Sequence, residues 1–93
     1  MAEQYDEPVK QAIACVAASE YRKRALGALS GGAKTPSQVA DETGIDPAHI
    51  TNTLKELRDV EAVALIVPEE TRRGRVHEIT DTGEQVAAVV LDE

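Results

Sequence analysis

The stretch TPSQVADETGIDPAHITNTLKEL, residues 35–57, contains two helix starts separated by one short turn. Thr35 offers a hydroxyl cap, a proline follows at the first helical position, and Gln38 stands three residues after the cap, which together make a capping box. The same signal of a cap followed by proline recurs at Asp46-Pro47. The pattern predicts two consecutive helices, one from Pro36 and one from Pro47.

The join between these two helices is very short. Gly44 ends the first helix where a left-handed backbone is needed, and only Gly44, Ile45 and Asp46 lie between the helices. The second helix has apolar residues at i, i+4 and i+7, namely Ile50, Leu54 and Leu57. This spacing is that of a helix-turn-helix. Two core helices with no nucleic-acid role would share part of the pattern.

The residues that follow predict a hairpin and a further helix. Residues 62–67 are an apolar strand candidate that Pro68 stops, and residues 75–79 alternate as a returning strand. Between them lies a polar loop with a basic tip, residues 68–75, which we interpret as a wing. A new helix start predicts a helix over residues 81–91. The fold class is therefore mainly α with a small β-hairpin, a winged helix-turn-helix.

The residues before Gly31-Gly32 are predicted to be helical, but the sequence does not decide whether they form one helix or two. Ser19 followed by Glu20 suits an N-cap, so two helices or one kinked helix fit equally well. The first apolar stripe lies within residues 8–18 and comprises Val9, Ala12, Ile13, Val16 and Ala17. The second comprises Tyr21, Ala25, Leu26 and Leu29.

The composition predicts a single small domain over residues 1–93 with a thin core. Aromatic residues make up 2% of the chain, so the core must be built from Ala, Val, Leu and Ile. Because a short chain buries a small fraction of its surface, a second copy covering apolar helices would stabilise it. We therefore expect a homodimer in which residues 8–18 and 81–91 pair across a two-fold axis.

The formal net charge of −7 comes from the two ends of the chain. Residues 22–75 carry nine basic and eight acidic residues, whereas residues 76–93 carry five acids and no Lys or Arg. High acid content, small aliphatics in place of aromatics and more Arg than Lys resemble the proteins of halophilic archaea, where a negative surface favours solubility. The net charge therefore does not exclude DNA as a partner.

Several classes of function lack the residues they need. No apolar run approaches the roughly 20 residues of a transmembrane helix, and the N-terminus lacks a secretory pattern, so we expect a soluble, cytoplasmic protein with no membrane partner. Cys15 is interpreted as a packing thiol of the core, and no Cys and His spacing suits a metal. Paired acids such as Asp41-Glu42 have no nucleophile or phosphate loop beside them. Neither enzyme activity nor a cofactor is predicted.

The run from Ser19-Glu20-Tyr21-Arg22 through residues 35–57 to Arg73-Gly74-Arg75 and residues 79–83 resembles archaeal winged helix-turn-helix transcriptional regulators of the small ArsR-like or MarR-like kind. The resemblance covers about residues 19–91. It implies a homodimer on a short inverted repeat in double-stranded DNA near a promoter. The recognition helix, residues 47–60, would enter the major groove, and the wing would follow the backbone or minor groove.

The sequence departs from this family at three places. A Ser-Arg pair of the family corresponds here to Thr51 and Asn52, so the guanine preference of Arg is lost while Asn can still pair with adenine. The glycine that precedes the first strand is replaced by Ala62, which leaves the geometry of that turn open. The cysteine pair of ArsR-type metal sensors is absent from the sequence, so metal sensing is not expected.

The exposed side of the predicted recognition helix supplies the candidates for DNA contact. We predict base contacts from His49 and Asn52, and phosphate contacts from Thr51 and Lys55. Further backbone contacts are predicted from Arg72, Arg73 and Arg75 in the wing and from Lys34, Thr35, Ser37 and Gln38 at the preceding helix. The basic residues Arg22, Lys23 and Arg24 are expected to support the motif rather than touch DNA.

These observations predict a sequence-specific, double-stranded DNA-binding transcriptional regulator. The alternative is a winged-helix module that binds proteins of the transcription or repair machinery and does not read DNA, since fold alone does not determine function. The basic wing opposes that alternative, whereas the negative net charge favours it.

Overall fold

Five helices and a two-stranded antiparallel hairpin make up the computed structural model, which describes residues 5–66 and 76–91. In chain order they are α1 (Glu7–Ala17), α2 (Glu20–Leu29), α3 (Pro36–Thr43), α4 (Pro47–Asp59), β1 (Val63–Ile66), β2 (Val76–Ile79) and α5 (Asp81–Val90). This order confirms the mainly α, winged helix-turn-helix architecture predicted from the sequence.

The segment before Gly31 is two helices rather than one kinked helix. Ser19 has an extended backbone, with φ −139° and ψ 124°, and its side-chain oxygen accepts a hydrogen bond from the backbone N–H of Arg22 at 3.3 Å. This cap satisfies one of the donors that a helix start leaves unpaired. The Ser19-Glu20 signal therefore starts α2.

The core lies where α1 packs on α5 and α2 packs on α3 and α4. Its fully buried large side chains are all aliphatic, as the composition requires: Leu26, Leu29, Ile50, Leu54, Leu57, Val16, Val39 and Val86. None of the helices within the described residues is long and apolar enough to span a membrane.

Three residues of the first two helices that were expected to be buried are not. Ala17 is exposed and Cys15 is half-buried, because both flank the stripe that Val9, Ala12 and Val16 bury. Tyr21 is 41% exposed, because it lies in the first turn of α2, away from the buried Ala25 and Leu26. The interpretation of Cys15 as a core thiol is therefore wrong.

The turn between α3 and α4 has the geometry that the sequence predicts. The Thr35 side chain accepts from the Gln38 N–H at 3.2 Å, and the Gln38 side chain accepts from the Thr35 N–H at 2.9 Å, which completes the capping box. Gly44 ends α3 at φ 79°, a conformation that favours glycine. Ile45 is buried between the helices.

The turn after α4 is made without glycine, and Glu61 takes the left-handed position at φ 63°. The Ala62 N–H donates to the Leu57 carbonyl and the Glu61 N–H donates to the Arg58 carbonyl, each at 2.9 Å. These two bonds form a Schellman motif, in which the residue after the helix cap is left-handed. Ala62 itself is fully buried in the core.

The hairpin pairs β1 with β2 from Val63 opposite Ile79 to Ile66 opposite Val76. Within the described residues β1 begins at Val63 rather than at Ala62, and Leu65, which strand alternation would place on the same face as the buried Val63, is 37% exposed. Lys34 adds a backbone bridge to His77, through N–H to carbonyl bonds of 3.0 and 2.8 Å. The predicted wing, residues 68–75, lies outside the described residues.

Candidate nucleic-acid interface

The helix α4 presents one buried face and one exposed face, as predicted. Asp46 caps it by accepting from the Ala48 N–H at 2.8 Å, and Ile50, Leu54 and Leu57 point into the core. The exposed residues include the four on this helix that were predicted to contact DNA: His49, Thr51, Asn52 and Lys55. The structure therefore brings all four to the surface of one helix, where a groove could receive them.

Thr53 lies on the buried side of α4 and was not singled out from the sequence. Its hydroxyl donates to the His49 carbonyl at 2.9 Å, so burial leaves that group hydrogen-bonded. The Thr53 side chain thus acts on the helix itself rather than on a partner.

His49 lies at the edge of the exposed face, beside Tyr21 of α2. The two ring centroids are 5.7 Å apart, with the planes tilted by 46°. Aromatic rings at this separation attract each other, so Tyr21 restricts where the imidazole can point. The apolar stripe predicted that Tyr21 would be buried. It is exposed instead, and it lies at the candidate interface.

Asn52 belongs to a chain of hydrogen bonds that crosses three helices. Its Nδ2 donates to Oε2 of Glu56 at 3.1 Å, and Oε1 of the same carboxylate accepts from Nε of Arg22 at 3.0 Å. The guanidinium also donates through Nη1 to the Cys15 carbonyl of α1 at 2.7 Å. The hydrogen bond to Glu56 raises the pKa of Arg22 above its ordinary value. Arg22 therefore contacts and supports α4, as its place on the preceding helix predicted.

Lys55 pairs with Asp59 one helical turn away, at 3.2 Å, and both side chains are about 60% exposed. An exposed pair of this kind is worth roughly 0–1 kcal/mol. Because so little is lost when the pair opens, the ammonium can leave Asp59 for a phosphate oxygen. Lys55 remains a candidate for backbone contact.

The polar groups before and within α3 are mostly engaged in the protein itself. The Lys34 ammonium donates to the Ala28 carbonyl at 2.7 Å and lies 3.6 Å from Glu42. Thr35 and Gln38 are used in the capping box, whereas Ser37 is exposed. Among the four residues predicted here, Ser37 is therefore the best placed to bind a phosphate without giving up a structural bond.

His77 and Arg58 meet where the hairpin joins the helices. His77 is only 4% exposed, and its Nε2 lies 2.8 Å from Nη1 of Arg58. Because a guanidinium only donates, Nε2 is the acceptor and Nδ1 carries the proton in the neutral ring. Nδ1 is buried, and the residues described here provide no hydrogen-bond partner for it. Burial, followed by the charge of Arg58, lowers the pKa of His77.

The wing arginines Arg72, Arg73 and Arg75 lie outside the described residues. Within residues 5–66 and 76–91, no group of three or more His, Cys, Asp or Glu side chains could hold a metal ion. The candidate site is therefore the exposed face of α4 together with the side chains of α2 that hold it.

Four contacts at or beside this site were missed from the sequence: Asn52 with Glu56, Arg22 with Glu56, Tyr21 with His49, and Arg58 with His77. The contact of Asn52 with Glu56 follows the i, i+4 spacing of a helix, and that spacing could have predicted it. Arg22 and Glu56 are 34 residues apart, and nothing in a single sequence pairs them.

No family model matches this sequence, and no curated protein matches it. Solved structures do resemble it. The adhesin competence repressor AdcR of Streptococcus pyogenes has a TM-score of 0.73 at 20% identity, covering 80% of this chain and 55% of that one. The RV1404 protein of Mycobacterium tuberculosis has a TM-score of 0.75 at 22% identity, covering 91% and 60%. Lactococcus lactis ZitR, solved as a C30AH42A mutant, has a TM-score of 0.70 at 22% identity, covering 80% and 53%.

The likeness is one of fold. At 20–22% identity, these structures show that the chain has a winged helix-turn-helix, in agreement with the order of its helices and strands. The chain spans between about half and three-fifths of the length of these proteins. What the chain binds has to be argued from its own residues.

Proposed function

We propose that this chain is a sequence-specific, double-stranded DNA-binding transcriptional regulator that acts as a homodimer. In this proposal α4 enters the major groove, Asn52 and His49 contact base edges, and Thr51 and Lys55 contact phosphates. The wing, residues 68–75, follows the backbone or minor groove through its arginines. In keeping with the resemblance in its sequence, we place it with the small ArsR-like or MarR-like regulators of halophilic archaea, in the cytoplasm.

The observation that carries the proposal is the exposed face of α4. A capped helix follows a tight glycine turn, its inner face is buried, and its outer face carries an amide, a hydroxyl and an ammonium group. Asn can pair with adenine through two hydrogen bonds, and Lys and Thr are common phosphate ligands. The name of AdcR, a repressor that shares the fold, supports the same class of function.

The experiment begins with selection of bound sites from a random duplex library, followed by gel-shift titration of the selected site and of random DNA. We expect Asn52→Ala to weaken binding to the selected site by roughly 1–3 kcal/mol and to change binding to random DNA little. We expect Lys55→Ala to weaken both and to reduce the salt slope by about one. Lys23→Ala, which removes one positive charge from an i, i+3 pair with Glu20 in α2, is the control.

The rival function is a protein-interaction module, which the net charge of −7 favours. Long-range repulsion between such a chain and DNA is screened at high salt, where the Debye length falls to about 3 Å at 1 M. The titration is therefore made at low and at high salt. Failure to retain any duplex at either would support the protein-binding alternative, and equal losses on both DNAs for Asn52→Ala would move Asn52 to the phosphate contacts.

A further inference from the structure

The amide of Asn52 is held by a carboxylate that is itself held by a guanidinium. Both oxygens of Glu56 are engaged, Oε2 with Nδ2 of Asn52 and Oε1 with Nε of Arg22. Arg22 is anchored in turn on the Cys15 carbonyl, so it is tied to the end of α1 as well as to α4. The side chain of Glu56 therefore has a defined position, although it lies at the protein surface.

The chemistry of these groups determines which end of the amide faces Glu56. An ionised carboxylate only accepts hydrogen bonds, and a guanidinium only donates them. With Arg22 on one oxygen, the other oxygen must face the NH₂ end of Asn52, since the opposite orientation would set Oδ1 against a negative oxygen. The second N–H of that group, together with Oδ1, can then serve a base edge.

We propose that Glu56 and Arg22 are positioning residues that hold the amide of Asn52 in one orientation and so make it select adenine. This inference rests on the proposed function. Adenine presents one acceptor and one donor in the major groove, and a bidentate contact requires the amide to offer its donor and acceptor in matching order. An amide free to invert loses that match, whereas the anchored amide is ready for it before DNA binds.

The decisive variant is Glu56→Gln, which preserves shape and alters only the pattern of donors and acceptors. Arg22 must take the single side-chain oxygen of the new residue, because it cannot use a donor. The NH₂ group of that residue then faces Asn52 and turns Oδ1 inward. We expect the preference for adenine over the other bases at the contacted position to fall by about five- to a hundredfold. Binding to random DNA should change less than about twofold beyond the change seen in the control.

The matched control is Asp59→Asn. Asp59 accepts from Lys55 in a second i, i+4 pair of the same helix, at 3.2 Å, and its substitution makes the same change in charge without touching Asn52. We expect this variant to keep the wild-type base preference. An unchanged preference in Glu56→Gln would overturn the inference while leaving DNA binding intact. Failure of the wild type to bind any duplex would overturn the proposed function, and the inference with it.

A second measurement uses NMR to detect the side-chain amide of Asn52 directly, in the absence of DNA. Asn52 is the only asparagine in the sequence, so selective ¹⁵N-asparagine labelling gives a single pair of side-chain amide resonances. We expect Glu56→Gln to shift this pair and to speed its exchange with water. Asp59→Asn introduces a second asparagine, so this variant should show one additional pair and leave the Asn52 pair in place. Equal spectra for the wild type and Glu56→Gln would show that Glu56 does not hold the amide.

Discussion

Glu61 stores local strain at the end of α4. It is the one non-glycine residue with a positive φ in the part of the chain that the structure describes, and two backbone hydrogen bonds close the turn around it. A left-handed conformation costs a residue with a Cβ atom roughly 1–2 kcal/mol. The two hydrogen bonds of the turn and the buried Ala62 that follows hold Glu61 in this conformation.

We expect Glu61→Gly to raise the free energy of unfolding by about 0.5–1 kcal/mol, because relief of the strain exceeds the extra freedom of glycine in the unfolded chain. Urea denaturation measures the change. Glu61→Ala is the control, since it removes the carboxylate from the negative end of α4 but keeps the Cβ atom. A gain in Glu61→Ala as large as that in Glu61→Gly would assign the effect to charge rather than to backbone strain.

The burial of His77 predicts a pH-dependent stability. Its pKa in the folded protein is lowered below the ordinary 6.5, first by burial and then by the charge of Arg58. Between the lowered value and 6.5, the unfolded chain binds more protons than the folded one, so the free energy of unfolding should decrease as the pH falls below 6.5. Below the lowered pKa, this contribution changes no further.

The measurement is urea denaturation across this pH range for the wild type and His77→Gln. Glutamine can still accept from Arg58 but does not titrate, so we expect a flatter pH profile. His49→Gln controls for the loss of an exposed histidine. If His77→Gln and the wild type have the same slope below pH 6.5, the buried imidazole is not the group responsible.

At the scale of the element, the start of α5 packs closely against the backbone just before β1, and a glycine makes this close approach possible. A Cβ atom added to Gly83 would overlap the Ala62 carbonyl oxygen and lie 2.7 Å from Cγ1 of Ile79. The Thr80 hydroxyl caps the same helix by accepting from the Gly83 N–H at 3.0 Å, and it donates to the Glu61 carbonyl at 2.6 Å. The start of α5 therefore depends on a close backbone approach.

We expect Gly83→Ala to destabilise the fold by about 1–3 kcal/mol or more, because backbone atoms cannot move aside as a flexible side chain does. Gly27→Ala is the matched control. A Cβ atom there would lie 3.6 Å from Cδ1 of Leu91, an ordinary contact, so this change within α2 should stabilise by about 0.5–1 kcal/mol. Thermal unfolding of the two variants gives the comparison. Equal effects would contradict the close approach at Gly83.

At the scale of the whole molecule, the packing of α1 on α5 bears on dimerisation. Each chain already buries part of the apolar surface of these helices by itself, through Val9, Ala12, Val16 and Val86. What is left for a second copy includes Val89 of α5, which is 40% exposed. The homodimer through these two helices stays a prediction, and it now has a specific residue to test.

We expect sedimentation at about tens of micromolar protein in high salt to give a dimer for the wild type and a shift toward monomer for Val89→Asp, because a buried unpaired carboxylate is costly. Leu65→Asp is the control, since Leu65 is similarly exposed, at 37%, but lies in the hairpin. A monomeric wild type, or equal behaviour of the two variants, would show that α1 and α5 do not form the interface.

The sequence by itself determined the helix-turn-helix, the division of α4 into an inner and an outer face, and the presence of a hairpin followed by a helix. These features were predictable because they depend on neighbours in the chain. A capping box, a proline at a helix start and a left-handed glycine each act on backbone groups within a few residues. Thr35, Gly44 and Asp46 therefore have the roles that their local sequence indicates.

Only the tertiary structure decided which partner each exposed polar side chain takes. Arg22 donates hydrogen bonds to Glu56 and to the Cys15 carbonyl. The backbone of Lys34 pairs with that of His77, and the exposed Tyr21 ring lies beside His49. Hydrophobic spacing tells which side of a helix faces inward, but not which helix lies opposite or how far along it the two meet. Which helices face each other, and where along their length they meet, depends on the packing of all five helices together. The anchoring of Asn52 therefore could not be derived from sequence alone.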